Sequence, residues 1–129
     1  MLRHNHLFTR YPAPLRWLFR HAVYPFYRRR FLPYRDLYNL ENAVAMKRAS
    51  STPILVTGGI RNKAQIRMIL DRHGLDGVTL SRPFVREPDL VERMRGAADL
   101  AFACTRCNLC TVMSDSRFAM RCYGAGAAA

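Results

Sequence analysis

The chain has 129 residues, half of them hydrophobic, and 21 Lys+Arg against 9 Asp+Glu give it a net charge of +12. That length and apolar content allow a small domain with a real core, argue against disorder throughout, and exclude a complete eight-unit α/β barrel, which takes about 250 residues. No run approaches the roughly 18 uninterrupted apolar residues of a membrane span, and the start Met1-Leu2-Arg3-His4-Asn5-His6 lacks the apolar centre of a secretory signal, so a cytoplasmic location is expected.

Residues 1–37 form a basic, aromatic arm. Residues 1–35 hold eight arginines and no acid, which is +8 of the total. Leu15, Leu18, Phe19, Ala22 and Val23 fall at i, i+3, i+4, i+7 and i+8, the apolar stripe of a helix that Pro14 opens and Pro25 ends. Arg16, Arg20 and His21 lie off the stripe. The arm is read as a helix covering a larger body. A membrane-surface helix and a nucleic-acid-binding arm would show the same mixture, but neither partner is expected here.

Residues 38–100 alternate between helix and strand. Asn39 to Ala49 reads as a helix with Leu40, Ala43, Val44 and Lys47 on one face, closed by Ser50-Ser51-Thr52-Pro53. Ile54-Leu55-Val56 is a continuous apolar run, the pattern of a parallel strand buried on both faces. Asn62 is a helix N-cap with Gln65 as its capping-box partner. Ile66, Ile69 and Leu70 point inward on that helix, His73 lies in its last turn, and Gly74 is the C′ residue. Asp76 to Leu80 is the next strand. Pro88 and Asp89 open a further helix carrying Leu90, Val91 and Met94, with Gly96 near its end. Two βα units imply a parallel sheet, and two parallel strands alone leave faces and edges to be covered by something else.

The strand ends hold the strongest chemical signal. Val56-Thr57-Gly58-Gly59-Ile60-Arg61 and Leu80-Ser81-Arg82-Pro83-Phe84 are apolar strands ending in small residues, and the second adds an arginine. Glycines let a backbone approach an anion closely, and a guanidinium offers it a planar fork of donors. Strand ends in parallel βα folds converge on one face, where ligands bind. Thr57, Gly58, Gly59, Ser81 and Arg82 are therefore candidates for a phosphate site. The bland alternative is that the glycines only make a tight turn and Arg82 only pairs with Asp76 or Glu87.

Residues 101–123 are cysteine-rich. Cys104, Cys107, Cys110 and Cys122 give C-x2-C-x2-C-x11-C, in which the short spacing turns the first three thiolates toward one iron or zinc centre and the fourth lies far beyond. Free thiols without metal are the plain alternative, and disulfides are not expected in a reducing compartment. Arg106, Arg117 and Arg121 lie around the run. Residues 124–129 are a Gly/Ala tail, expected to fray.

These motifs, taken in order, resemble the C-terminal part of the Old Yellow Enzyme-like NADH:flavin oxidoreductases. The resemblance is carried by Pro53 to Arg61, Asp76-Gly77-Val78, Arg82-Pro83-Phe84, Glu87 to Val91 and the cysteine run with Asn108, and it covers about two thirds of the chain. The subgroup with a cysteine-rich tail, which includes 2,4-dienoyl-CoA reductase and trimethylamine dehydrogenase, is the most similar. The resemblance implies two βα units, strands 7 and 8, of a (β/α)8 barrel. It implies FMN held through its phosphate at Thr57, Gly58, Gly59, Ser81 and Arg82, NAD(P)H as reductant, a small-molecule substrate, and a [4Fe–4S] cluster on the four cysteines. Ser81 departs from the family's usual glycine. The residues that contact the flavin ring, bind the substrate and donate the proton have no counterparts here; Tyr11, Tyr24, Tyr27, Tyr34 and Tyr38 and the histidines, His4 and His6 among them, take no catalytic role. The chain alone is therefore expected to be inactive, its barrel completed by a separate N-terminal half-barrel or by a homo-oligomer. The contrasting expectation is a non-enzymatic basic module that binds zinc and a nucleic acid or membrane.

Overall fold

A computed structural model describes residues 6–31, 33–114 and 119–124. His4, Arg117 and the tail from residue 125 onward lie outside the described residues. The chain divides into two compact units, one of Met1–Pro33 with Arg106–Ala129 and one of Tyr34–Thr105.

In the first unit, α1 (His6–Thr9) is followed by α2 (Ala13–Leu18), which runs through π-helical winding over Phe19–Val23 into α3 (Tyr24–Arg28). Pro14 lies in the first turn of α2, as predicted. Pro25 does not end the helix. It falls in the first turn of α3. The wider winding ahead of it takes up both the carbonyl its ring would strike and the hydrogen bond its missing N–H cannot make. No residue of α2, the π winding or α3 is buried.

The second unit is mixed α/β. Its elements run α4 (Leu40–Ala49), β1 (Leu55–Thr57), α5 (Lys63–Arg67) with π winding over Met68–Arg72, β2 (Gly77–Thr79), α6 (Arg82–Arg86) and α7 (Leu90–Gly96). β1 and β2 pair in parallel, Leu55 with Gly77, Val56 with Val78 and Thr57 with Thr79. Ala43, Val56, Ile60, Ile69, Leu75, Leu90 and Phe102 form one buried cluster, edged by half-buried Leu37, Ile66, Val78 and Phe84. Each element thus contributes one or two apolar side chains to a common core, which is where its stability lies.

Local signals set the helix ends. Asn62 accepts a hydrogen bond from the Gln65 N–H at 2.7 Å, and the Gln65 side chain accepts from the Arg61 N–H at 2.7 Å. This is the predicted box, with its return bond made one residue earlier. Gly74 has φ +62 and its N–H donates to the Leu70 carbonyl at 3.2 Å, closing the helix as a left-handed C′ residue.

Two expectations about burial need correction, those for β1 and Leu70. β1 is buried on one face only: Val56 is 2% exposed and Leu55 57%. Side chains alternate along a strand, and the described core lies on the Val56 side alone. Leu70 is exposed and Ile69 fully buried, because the π winding that begins at Met68 carries Leu70 off the inward stripe. Val91 is also exposed, while its neighbour Leu90 is fully buried. A further short helix, α6, follows β2 with Pro83 in its first turn.

Polar contacts fasten the ends of these elements. Lys47 at the end of α4 donates to both Asp76 carboxylate oxygens, at 2.6 and 2.7 Å, and the Ile54 N–H donates to Asp76 at 2.7 Å. The Lys47 contact, then the Ile54 N–H, hold the Asp76 carboxyl below its ordinary pKa. Lys63 donates to the Met94 and Ala97 carbonyls at the C-terminal end of α7, where a cation is favoured. The chain after α7 then returns to α5: the Lys63 N–H donates to Leu100 O at 2.9 Å and the Phe102 N–H to Arg61 O at 2.8 Å. Buried Glu87 accepts from Arg93 and, at 2.6 Å, from the Ala103 N–H.

Candidate functional site

Parallel register places the C-terminal ends of β1 and β2 side by side, since Thr57 pairs with Thr79. Beyond them lies a cavity of about 140 Å³. Thr57, Gly58 and Gly59 line it from the first strand end, and Ser81 and Arg82 from the second. The five residues singled out in the sequence are thus gathered at one opening. Tyr38, Ile60, Thr79, Leu80 and Pro83 complete the lining, which contains no carboxylate.

The turn is built around two glycines in left-handed conformation, with φ +108 at Gly58 and +75 at Gly59. L side chains avoid that region, and space forbids them too. A Cβ on Gly58 would overlap the Tyr38 ring, and one on Gly59 would overlap the Leu37 backbone nitrogen. The Leu37 N–H donates to Gly59 O at 3.2 Å, and the Asn39 amide nitrogen donates to Thr57 O at 2.8 Å. Asp36 lies 3.9 Å from the Arg61 guanidinium. The segment 36–39 therefore clasps the turn from outside. Within β1 and β2, the Thr57 hydroxyl donates to Thr79 O at 3.3 Å.

Charge at the opening comes from Arg82, which is half-buried, while Ser81 is exposed. Asp76 pairs with Lys47, and Glu87 with Arg93. Tyr38 is a lining residue that carries no site signal in the sequence. Its ring sits against Gly58 and meets Tyr34 edge-on at 6.4 Å between centroids. Asn39 stands where the sequence predicts a helix start; it precedes α4, but its side chain caps nothing there and binds the strand end.

None of the four cysteines is in a disulfide. Cys107 is exposed, and Cys104, Cys110 and Cys122 are half-buried. Arg106 and Asn108, either side of Cys107, have φ +61 and +58. Asn tolerates that conformation and Arg does so at a cost of about 1–2 kcal/mol. Among the described residues, no three His, Cys, Asp or Glu side chains are gathered into a metal-binding group. The donor set is right in kind, since soft thiolates select iron–sulfur clusters and zinc.

Comparison with protein-family models, with curated proteins and with solved structures finds no match to this chain. Among the described residues, no helix is long and apolar enough to cross a membrane.

Proposed function

We propose that this chain supplies the FMN phosphate grip of an NAD(P)H-dependent flavin oxidoreductase, as strands 7 and 8 of a (β/α)8 barrel. One observation carries the reading: the Gly58-Gly59 turn and the Ser81-Arg82 turn end adjacent parallel strands and line one cavity. The left-handed glycines lie in the lining of that opening beside the Tyr38 ring, and a glycine backbone there suits close approach by an anion. Arg82 adds a cation suited to a bidentate contact with a phosphoryl group, and the Ser81 and Thr57 hydroxyls add neutral donors. At about 140 Å³ the cavity is well below the roughly 300 Å³ of a whole small-molecule site, so it suits a headgroup and not a flavin ring. The remaining six βα units, from a half-barrel partner or a second copy, would hold the ring and the substrate. The chemistry FMN supplies when bound is hydride transfer from NAD(P)H to an electron-poor alkene or similar small molecule.

Calorimetric titration of the full chain with FMN and with riboflavin tests the grip. FMN binds and riboflavin, which lacks the phosphate, does not. Arg82→Ala weakens FMN about 10- to 100-fold, the worth of a charge-assisted hydrogen bond. Equal binding of the two flavins, or an Arg82→Ala variant that binds FMN normally, would refute the assignment.

The four cysteines are proposed as ligands of a [4Fe–4S] cluster that gathers them on assembly, since metal binding and local folding are coupled. Iron and acid-labile sulfide in chain purified anaerobically should approach four of each, and any one Cys→Ser change should lower both. Metal-free protein, or zinc in place of iron, overturns this part alone.

A further inference from the structure

The arm carries a surface that the phosphate grip does not use. The rod from Ala13 to Arg28 buries none of its residues. Leu15 is 48% exposed, Leu18 50%, Phe26 59% and Tyr27 54%. Beside Leu15 and Leu18 an apolar groove of about 430 Å³ is lined by Phe8, Tyr11, Phe19 and Val23, with Arg16 the one charged residue in its lining. Phe8 and Phe19 meet there at 5.5 Å between ring centroids. Leucines and rings exposed together on one helix, with arginines beside them, are the composition of an interfacial helix.

Charge decides the occupant. Residues 1–35 hold eight arginines and no acid. A helix designed to lie inside protein would bring carboxylates for such a load or shed the arginines, because unpaired buried charge is costly. A nucleic acid would use the arginines, but it has no use for an aliphatic groove built on Leu15, Leu18 and Val23. An anionic bilayer uses both: phosphate headgroups pair with the arginines, and the acyl boundary receives the leucines and rings. Arg30 lying over the Phe26 ring at 5.3 Å joins the two kinds of group at one place. The rod is shorter than the roughly 20 residues needed to span a bilayer, so it lies in the interface.

We propose that the arm is an interfacial anchor for anionic phospholipid bilayers, with the Ala13–Arg28 rod in the headgroup plane and the Leu15–Leu18 groove toward the acyl chains. This stands independently of the flavin reading.

Cosedimentation of the full chain with vesicles tests it. Equimolar phosphatidylcholine and phosphatidylglycerol should pellet the protein, phosphatidylcholine alone should not, and added salt should release it. Two variants separate the contributions. Arg28→Glu with Arg29→Glu and Arg30→Glu should raise the lipid needed for half binding at least tenfold. Leu15→Ser with Leu18→Ser, which leaves the charge intact, should do the same. Circular dichroism of each variant checks that the helices persist. Failure of the wild-type chain to pellet with the anionic vesicles overturns the proposal. So does a Leu15→Ser/Leu18→Ser variant that binds vesicles normally while the wild type binds a DNA duplex equally well, since that outcome describes a general polyanion binder.

Discussion

Gly59→Ala should cost about 3 kcal/mol of stability and abolish FMN binding by the chain. Two penalties combine. An L residue at φ +75 is strained by about 1–2 kcal/mol, and overpacking against the Leu37 backbone adds a similar amount. The nearest relief is for residues 36–38 to move away, which opens the clasp and widens the cavity that Gly58 and Gly59 line. Gly74→Ala is the internal control. Gly74 has a comparable φ of +62, but nothing lies within 4 Å of the site of its missing Cβ. That variant should lose about 1 kcal/mol and bind FMN as the wild type does. Urea denaturation together with FMN titration measures both quantities. Equal destabilisation by the two substitutions would mean that close approach at Gly59 contributes nothing.

The second large effect is expected at Glu87, the one buried charged residue among those described. Its carboxylate accepts from Arg93 on α7 and from the Ala103 N–H. Glu87→Ala leaves that N–H without its acceptor and removes a charge-assisted contact, for a loss of about 2–4 kcal/mol. Glu87→Gln keeps an acceptor for Ala103 and should lose about half as much. Hydrogen exchange distinguishes the local event from general softening: the Ala103 amide should lose its protection in the alanine variant and keep most of it in the glutamine variant. If both variants exchange like wild type at Ala103, the contact is not holding the chain there. Ala103 is followed directly by Cys104, so Glu87 also fixes where the cysteine run leaves the α/β unit.

What the sequence made legible was local. The Asn62–Gln65 cap, the Gly74 stop, the helical stripe through Ile66 and Ile69, and the small residues at both strand ends can each be read within a few positions. What it hid depends on distance or on winding. Tyr38 reaches Gly58 from 20 positions away, and Asn39 reaches Thr57 across 18; no periodicity announces either contact. Ile54-Leu55-Val56 reads as two-faced because apolar composition is blind to how many layers pack on the strand, and Leu55 stands exposed. Leu70 follows the α-helical period in sequence but not in space, since a π winding leaves no compositional mark. Glu87 reads in sequence as a candidate partner of Arg82, whereas its carboxylate accepts from the Ala103 N–H, 16 residues later, and from Arg93.

The π winding in the arm also sets the azimuth of α3. An α-helix turns about 100° per residue. Without interruption, Tyr27 would therefore fall about 120° round from Leu15, and Arg28 would lie still farther round. Wider winding over Phe19–Val23 absorbs about one extra residue and sets the downstream phase back by the same 100° or so. Phe26 then comes round to the side of Leu18, Tyr27 to the side of Leu15, and Arg28 to the side of Arg16. Pro25 thus acts as a phase corrector: the winding it requires brings two half-rods, misaligned in sequence, into one apolar sector and one cationic sector.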